Sequence, residues 1–415
     1  MVKAGRVLAA ALLALIGTTG AAPQTEAATA TATGAARAAV PTAVRAAPAP
    51  APWTGTWEAA PSGTAPALPG AAVRNVVRLS VGGDLLRIRL SNRLGTGPLT
   101  LGAVTVALRG AAGPDAVPGT MRTATFGGAP TAAVPPGGDL VSDPVPLAVP
   151  AAADLLVTVH TPADSGPATY HRTALRTSYV APRGAGRAAD EDGAAYTATT
   201  SHWYYVTGVD VRAPRGAGSV VAFGDSLTDG TGSTHDADRR WPDRLAERLR
   251  TRRLGVLNAG IAGNRLLRDG TGPSALSRLD ADALSRSGAR VLIVFEGIND
   301  INGTPQANDA AAFEAAYRTI VSRAHAHGIR VVGATLTPYG GHRAFTAARE
   351  DLRQRINAFI RTGGAFDAVA DFDAAVRDPA RPQRIRPAYD PGDHLHFNDA
   401  GMRALGDAID LGALR

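Results

Sequence analysis

A chain of 415 residues is long enough for two domains of common size, and 45% hydrophobic with 19% charged residues is the composition of a folded globular protein. The absence of cysteine excludes a disulfide scaffold, a cysteine nucleophile and a thiolate metal site. The formal charge of +7 rests almost wholly on arginine, Lys3 being the only lysine. No basic stripe with interleaved aromatics marks a nucleic-acid surface, although attraction to anionic wall polymers or membrane surfaces is compatible with the charge.

The chain begins with Lys3 and Arg6 ahead of the apolar run Val7 to Ile16, and small residues lead to Ala28-Thr29-Ala30. This order predicts a secretory signal peptide over 1–30, hence an extracellular protein, with Gly20-Ala21-Ala22 as a second cleavage candidate. No later segment has the roughly 18 uninterrupted apolar residues of a membrane helix. Residues 31–52, rich in Ala, Pro and Thr, read as a linker.

Residues 53–213 carry short β-like runs separated by Pro/Gly turns such as "VPPGGD". "VRNVVRLSV" and "LLRIRLSN" flank Gly82-Gly83-Asp84 and predict a hairpin, while "ADLLVTVHT" and "HWYYVTGVDV" predict further strands. Short strands at this spacing predict a β-sandwich or jelly-roll domain. Trp53, Trp57, Trp203, Tyr204 and Tyr205 are candidates for stacking on sugar rings, though aromatics at strand positions more often pack inward.

After "RAPRGAG", Arg212 to Gly218, apolar strands alternate with amphipathic segments: "SVVAFG" then "WPDRLAERLRTR", "RVLIVFEG" then "NDAAAFEAAYRTIVSRAHAHG", "RVVGATLTP" then "FTAAREDLRQRINAFIRTGG". A short "FDAVADF" and a closing helix after Asn398 complete the pattern. Residues 214–415 are thus expected to form an α/β domain with a parallel sheet covered on both faces, and no fixed-period repeat is visible. Ligands in such a sheet bind beyond the carboxyl ends of the strands, so the loops there hold the candidate chemistry.

The first such loop is Gly224-Asp225-Ser226-Leu227. A serine hydroxyl becomes a nucleophile when a base takes its proton and a tight turn holds it clear. Thr228 occupies the second glycine of a G-x-S-x-G elbow, which argues against the α/β-hydrolases. "NAGIAGNRLL" offers Gly263, and "FEGINDI" offers Asn299, both suited to donate hydrogen bonds to an oxyanion, although turn glycines and Asx turns look the same. The "LL" of the former is a candidate acyl-chain contact or simply core. In "YDPGDHLHFNDAG", Asp393 can orient His396 as a general base, with His394 and Asp390 as a rival pair, and Asp393, His394 and His396 as a conceivable metal set. His325 and His327 end a predicted helix and read as solvated or capping.

These four elements in order resemble the SGNH hydrolase family, also called GDSL esterases and lipases, over roughly Ser219 to the C-terminus. The resemblance implies a flavodoxin-like three-layer domain in which Ser226 is the nucleophile, His396 the base and Asp393 its orienting carboxylate. It implies an oxyanion hole from the backbone N–H of Ser226, the backbone N–H of Gly263 and the Asn299 amide, with Asp225 and Asp300 in support and no metal or organic cofactor. It favours His396 over His394 by the D-x-x-H spacing. A looser similarity to secreted bacterial proteins with a β-domain ahead of such a hydrolase, relatives of xylan esterases among them, implies a short-acyl, chiefly acetyl, ester substrate on polysaccharide. The alternatives are a lipase or phospholipase, or a glycan-binding protein with a vestigial hydrolase domain.

Overall fold

The computed structural model describes residues 53–415; the expected signal peptide and linker lie outside the described residues. Among the described residues, no helix is long and apolar enough to cross a membrane.

From Trp53 to Arg212 the chain is built of antiparallel strands. One sheet runs Trp53–Glu58, Val206–Arg212, Gly83–Ser91, Val145–Val149, with Asp139–Val141 also on Gly83–Ser91. A second runs Ala198–Thr200, Ser178–Ala181, Ala71–Arg78, Asp154–Thr161, Ala103–Leu108, Arg122–Thr123. Alternate residues of both sheets, Val73, Val77, Val104 and Val157 from one and Leu86, Ile88, Val209 and Val211 from the other, share one apolar core, as period-two patterning demands.

The two runs around Gly82-Gly83 form strands but not the predicted hairpin. Ala71–Arg78 pairs with Asp154–Thr161 and Gly83–Ser91 with Val206–Arg212, so the connection crosses between the sheets. Alternation says that a strand has one buried face, and two such strands satisfy it equally well side by side or face to face across a core. The glycines serve close approach: a Cβ at Gly82 would lie 2.5 Å from the Val149 carbonyl oxygen, and one at Gly83 2.7 Å from that of Arg212.

The aromatic candidates for sugar stacking are mostly core. Trp57, Trp203, Tyr204 and Tyr205 are buried, and Trp57 meets Trp203 edge to face at 5.0 Å, so these four offer no ring face to a glycan. Trp53 is partly exposed, but the Arg87 guanidinium lies 4.4 Å from its ring centre.

The second half opens after a five-residue connection, 213–217. Its strands are β1 (Gly218–Gly224), β2 (Leu254–Gly260), β3 (Ala289–Phe295), β4 (Arg330–Ala334) and β5 (Ala368–Ala370). All pair in parallel in the order β2-β1-β3-β4-β5. That is the flavodoxin-like order, whose direction reverses at β1, so a crevice opens beyond the ends of β1 and β3. Every residue of β1 is buried, which requires both faces of the sheet to be covered. The helices are α1 (Ser226–Asp229), α2 (Trp241–Leu249), α3 (Ala275–Leu279), α4 (Ile298–Asn302), α5 (Ala310–Ala326), α6 (Ala347–Thr362), α7 (Phe372–Val376) and α8 (Asp399–Ala408). Helix α2 packs on α8, and α5 on α6.

The two halves meet across ionisable groups. Glu58 lies 2.6 Å from Arg286, and Arg93 lies 2.5 Å from Asp282, all four largely shielded from solvent. Backbone contact is close as well: Gly55 donates to the Ser287 carbonyl at 2.8 Å, and Ser80 Oγ accepts from Val256 N–H at 2.9 Å.

Burial pushes the Glu58 carboxyl up to about 8, against the pull of Arg286. Between the ordinary value of 4.5 and that value the folded chain holds a proton that the unfolded chain releases, so stability from this group is present at low pH and is lost as pH rises. Urea unfolding across pH 5 to 8 is expected to show a falling contribution of at most about 1.4 kcal/mol per pH unit that Glu58→Gln removes. An unchanged slope in the variant would refute this assignment.

Candidate active site

The Ser226 turn is set by its neighbours. Asp225 caps α1, its Oδ1 accepting from Leu227 N–H at 2.9 Å, and Gly230 ends the helix in the left-handed region at φ 109°. Ser226 is the first residue of α1, where no preceding helical carbonyl is available to its N–H. Its hydroxyl stands at the end of β1, at the topological switch point.

Asp393 and His396 arrive from a loop just before α8. Leu395 and Phe397 are buried in the core on either side of His396, and Asn398 caps α8 by accepting from Ala400 and Gly401 N–H. The His396 ring is held between these anchors. Its Nε2 lies 2.9 Å from Ser226 Oγ, and its Nδ1 lies 2.6 Å from Asp393 Oδ2. Asp393 Oδ1 also accepts from the backbone N–H of Leu395 and of His396 at 3.0 and 2.9 Å. Burial opposes ionisation of Asp393, but the His396 ring and these amides outweigh it and hold the carboxyl below its ordinary range. The Asp393 side chain remains 48% exposed and the His396 side chain 18%, so the pair lies at an open surface.

The rival pair also exists, elsewhere. His394 Nδ1 lies 2.6 Å from Asp390 Oδ2, while the ring packs beside Gly341. Only His396 bonds to Ser226. The two rings serve separate carboxylates instead of converging as ligands, and among the described residues no group of three or more His, Cys, Asp or Glu could hold a metal ion. His325 bonds Asp367 at 2.9 Å, and His327 sits at the C-cap of α5, both at the surface.

Gly263 follows β2 with φ 84°, a conformation that favours glycine. Asn299 lies in the first turn of α4, and its Nδ2 donates to the Asn264 carbonyl at 2.9 Å. An amide nitrogen carries two hydrogens, so this bond fixes the side chain and leaves the second hydrogen for another acceptor. Asp300 closes the same join by accepting from Leu266 and Leu267 N–H at 2.6 and 3.0 Å. Asp225 and Asp300 are thus a cap and a latch. Leu266 is core and Leu267 only partly buried.

Three residues without any signal in the sequence complete the site's frame. Arg278, 2% exposed, donates to the Gly224 and Ala259 carbonyls at 2.9 and 2.7 Å and to Asn264 Oδ1 at 2.9 Å. Asn264, fully buried, returns its own amide to the Thr271 and Pro273 carbonyls. Asp229 accepts from Ala262 N–H at 2.8 Å. Arg278 lies in "ALSRL", a surface-like helical pattern; Asn264 and Asp229 adjoin motif residues and could have been suspected only from that adjacency. Buried in this frame are three further carboxyls, Asp225 and Glu296 beside Arg278 and Asp300 beside Arg265 at 3.7 Å. Burial raises all three, Asp225 to about 7 with Asp300 adding to the rise; Glu296 is pushed well up by burial and Asp225, and Asp300 is raised by burial against its two amides.

Such an arrangement, a serine hydroxyl in line with an imidazole and a carboxylate, is equipped for acyl transfer. Residues 222–404 match the model of the GDSL-like lipase/acylhydrolase family. No curated protein matches the chain. Among solved structures it is similar to a carbohydrate acetylesterase from Sinorhizobium meliloti, at 16% identity over 46% of this chain and 95% of that one with a TM-score of 0.37. An acetyl xylan esterase is 22% identical over 46% and 96% with a TM-score of 0.36. A lipase/acylhydrolase from Enterococcus faecalis is 19% identical over 46% and 92% with a TM-score of 0.36. Residues 222–404 therefore form a GDSL-like lipase/acylhydrolase domain, and the chain is a carboxylic ester hydrolase.

Proposed function

We propose that the chain is a secreted serine esterase that removes short acyl groups, acetyl foremost, from polysaccharide or related glycans. The observation that carries the catalytic part is the unbroken line from Ser226 Oγ through His396 to Asp393, at 2.9 and 2.6 Å. His396 takes the hydroxyl proton as Ser226 attacks the ester carbonyl. The oxyanion is met by the N–H groups of Ser226 and Gly263 and by the Asn299 amide. The alcohol leaves with the proton from His396, and water deprotonated by the same ring then hydrolyses the acyl-enzyme. Asp393 orients the ring and stabilises its charged form throughout.

The short-acyl, glycan part is favoured by the surface. Among the described residues, the exposed large apolar side chains are Val117, Val141 and Val369, none of them in the loops of Ser226, Gly263, Asn299 or His396. An enzyme working on a lipid surface presents a contiguous apolar patch instead. Secretion rests on residues 1–30 and on the looser similarity noted from the sequence. A lipase or phospholipase is the second reading, with the same catalytic residues and a different acyl site.

With a small activated ester, Ser226→Ala and His396→Ala are each expected to lower kcat at least about a thousandfold, whereas His394→Ala stays within about threefold because its ring serves Asp390. Retention of wild-type turnover by folded Ser226→Ala would sink the assignment. A panel of acetyl to octanoyl esters, acetylated xylan and phospholipid vesicles tests the substrate. The expected outcome is a steep loss of kcat/KM beyond short chains with acetate released from xylan; equal or better rates on octanoyl esters and vesicles would select the lipase.

A further inference from the structure

The N-terminal β-region contributes a side chain to the frame of the candidate active site. His171, on the strand Ala168–His171, is 3% exposed, and both its ring nitrogens are engaged. Nδ1 lies 2.7 Å from the Ala60 carbonyl oxygen and Nε2 lies 3.0 Å from Asp229 Oδ1. A carbonyl oxygen only accepts, so Nδ1 carries a proton. A carboxylate likewise accepts, so a ring facing both partners is satisfied as an imidazolium. Burial opposes that charge, but Asp229 and the Ala60 carbonyl outweigh it and raise the ring above its ordinary value.

Asp229 is the last residue of α1, three positions after Ser226, and is itself 2% exposed. Its Oδ2 takes the Ala262 N–H at 2.8 Å, and Ala262 is the residue before Gly263. The approach leaves no slack: a Cβ at Gly260 would come within 2.2 Å of Asp229 N. One carboxylate therefore bridges the nucleophile's helix and the glycine loop, and the group that neutralises and orients it comes from outside the hydrolase fold. Removing the imidazolium leaves the buried carboxylate with only part of its compensation, from Arg240, and the carboxylate would turn to find other donors. The amide that it holds would then shift, and with it the N–H that follows.

We propose that His171 is a positioning residue for the oxyanion hole: by fixing Asp229 it fixes the peptide before Gly263, which makes the β-region a structural part of the catalytic unit. This rests on the assignment of Ser226 and Gly263 given under the proposed function. His171 touches no reacting atom, and its effect is confined to the charge-stabilising half of the site, so substrate binding in the ground state is left in place.

The test uses the full chain, with His171→Gln, which keeps one donor without the charge, and His171→Ala. Hydrolysis of a short activated ester is expected to lose about a hundredfold in kcat for His171→Ala with little change in KM, and less for His171→Gln. The affinity for a small alkyl boronic acid, whose tetrahedral serine adduct places an oxygen in the hole, is expected to fall by a similar factor. A loss of folded fraction alone lowers the amplitude of boronate binding and leaves its affinity unchanged, which would overturn the proposal. In the wild-type chain, NMR of the His171 ring is expected to show protons on both nitrogens, and a neutral ring at pH 7 would also overturn it, with no variant needed. Ser226→Ala run alongside separates the two levels. An inactive Ser226→Ala with wild-type boronate affinity in both His171 variants removes this proposal alone; an active one removes the reading beneath it.

Discussion

The buried guanidinium of Arg278 is the constraint on which the catalytic end of the sheet depends. A parallel sheet ends in carbonyls that have no further strand to meet, and water is excluded there by the loops that carry the chemistry. Arg278 supplies donors to the last carbonyl of β1, to one near the end of β2 and to the side chain of Asn264. Its planar fork suits several fixed acceptors at once, which a lysine could not match. The turn before Ser226 and the loop of Gly263 are thereby held in one frame, and Asn264 passes the constraint to Asn299. The charge is expensive to bury, and the buried Asp282 carboxylate, 3.5 Å away and held below its ordinary range by Arg93, Arg278 and Arg286 against its burial, offsets part of that cost.

Around this frame the site divides into a rigid half and an open half. The proposed oxyanion side is cross-tied by Asp300 and Asn299 to the glycine loop and by Asp229 to the helix of Ser226. The proposed acid-base side is a short loop pinned by Leu395 and Phe397, with Asp393 half in solvent. Preorganised donors gain from rigidity because they need no reorganisation when charge develops. A proton-carrying imidazole needs only its orientation, which two residues of core packing and one carboxylate provide.

The sequence made the α/β half legible because its signals are local. Apolar strands, a turn at Ser226 between strand and helix, the helix after Asn398 and the D-x-x-H spacing all act within a few residues, and the structure has them where the pattern placed them. Between His394 and His396 spacing alone was neutral, and what separates them is which ring the buried residues Leu395 and Phe397 turn toward Ser226. Long-range partners left no trace. His171 and Asp229 are 58 residues apart, and nothing in "ATYH" distinguishes a histidine bound to another layer from one in a strand. The Gly82-Gly83 turn failed for a related reason: alternation encodes a buried face but not the neighbour that covers it. The aromatic residues were ambiguous in composition and are resolved by burial, with Trp57 and Trp203 packed on each other.

The route of the chain into β1 has a practical consequence for orientation. Trp53–Glu58 pairs with Val206–Arg212, and only residues 213–217 separate that strand from β1. Trp53 itself lies against Gly288, just ahead of β3 at the start of the parallel strands, whereas Ser226 stands at their far end. Seven residues of strand span about 20 Å. A support or fusion partner coupled at Trp53 would meet the floor of the sheet, and the ester-cleaving face would point away from it.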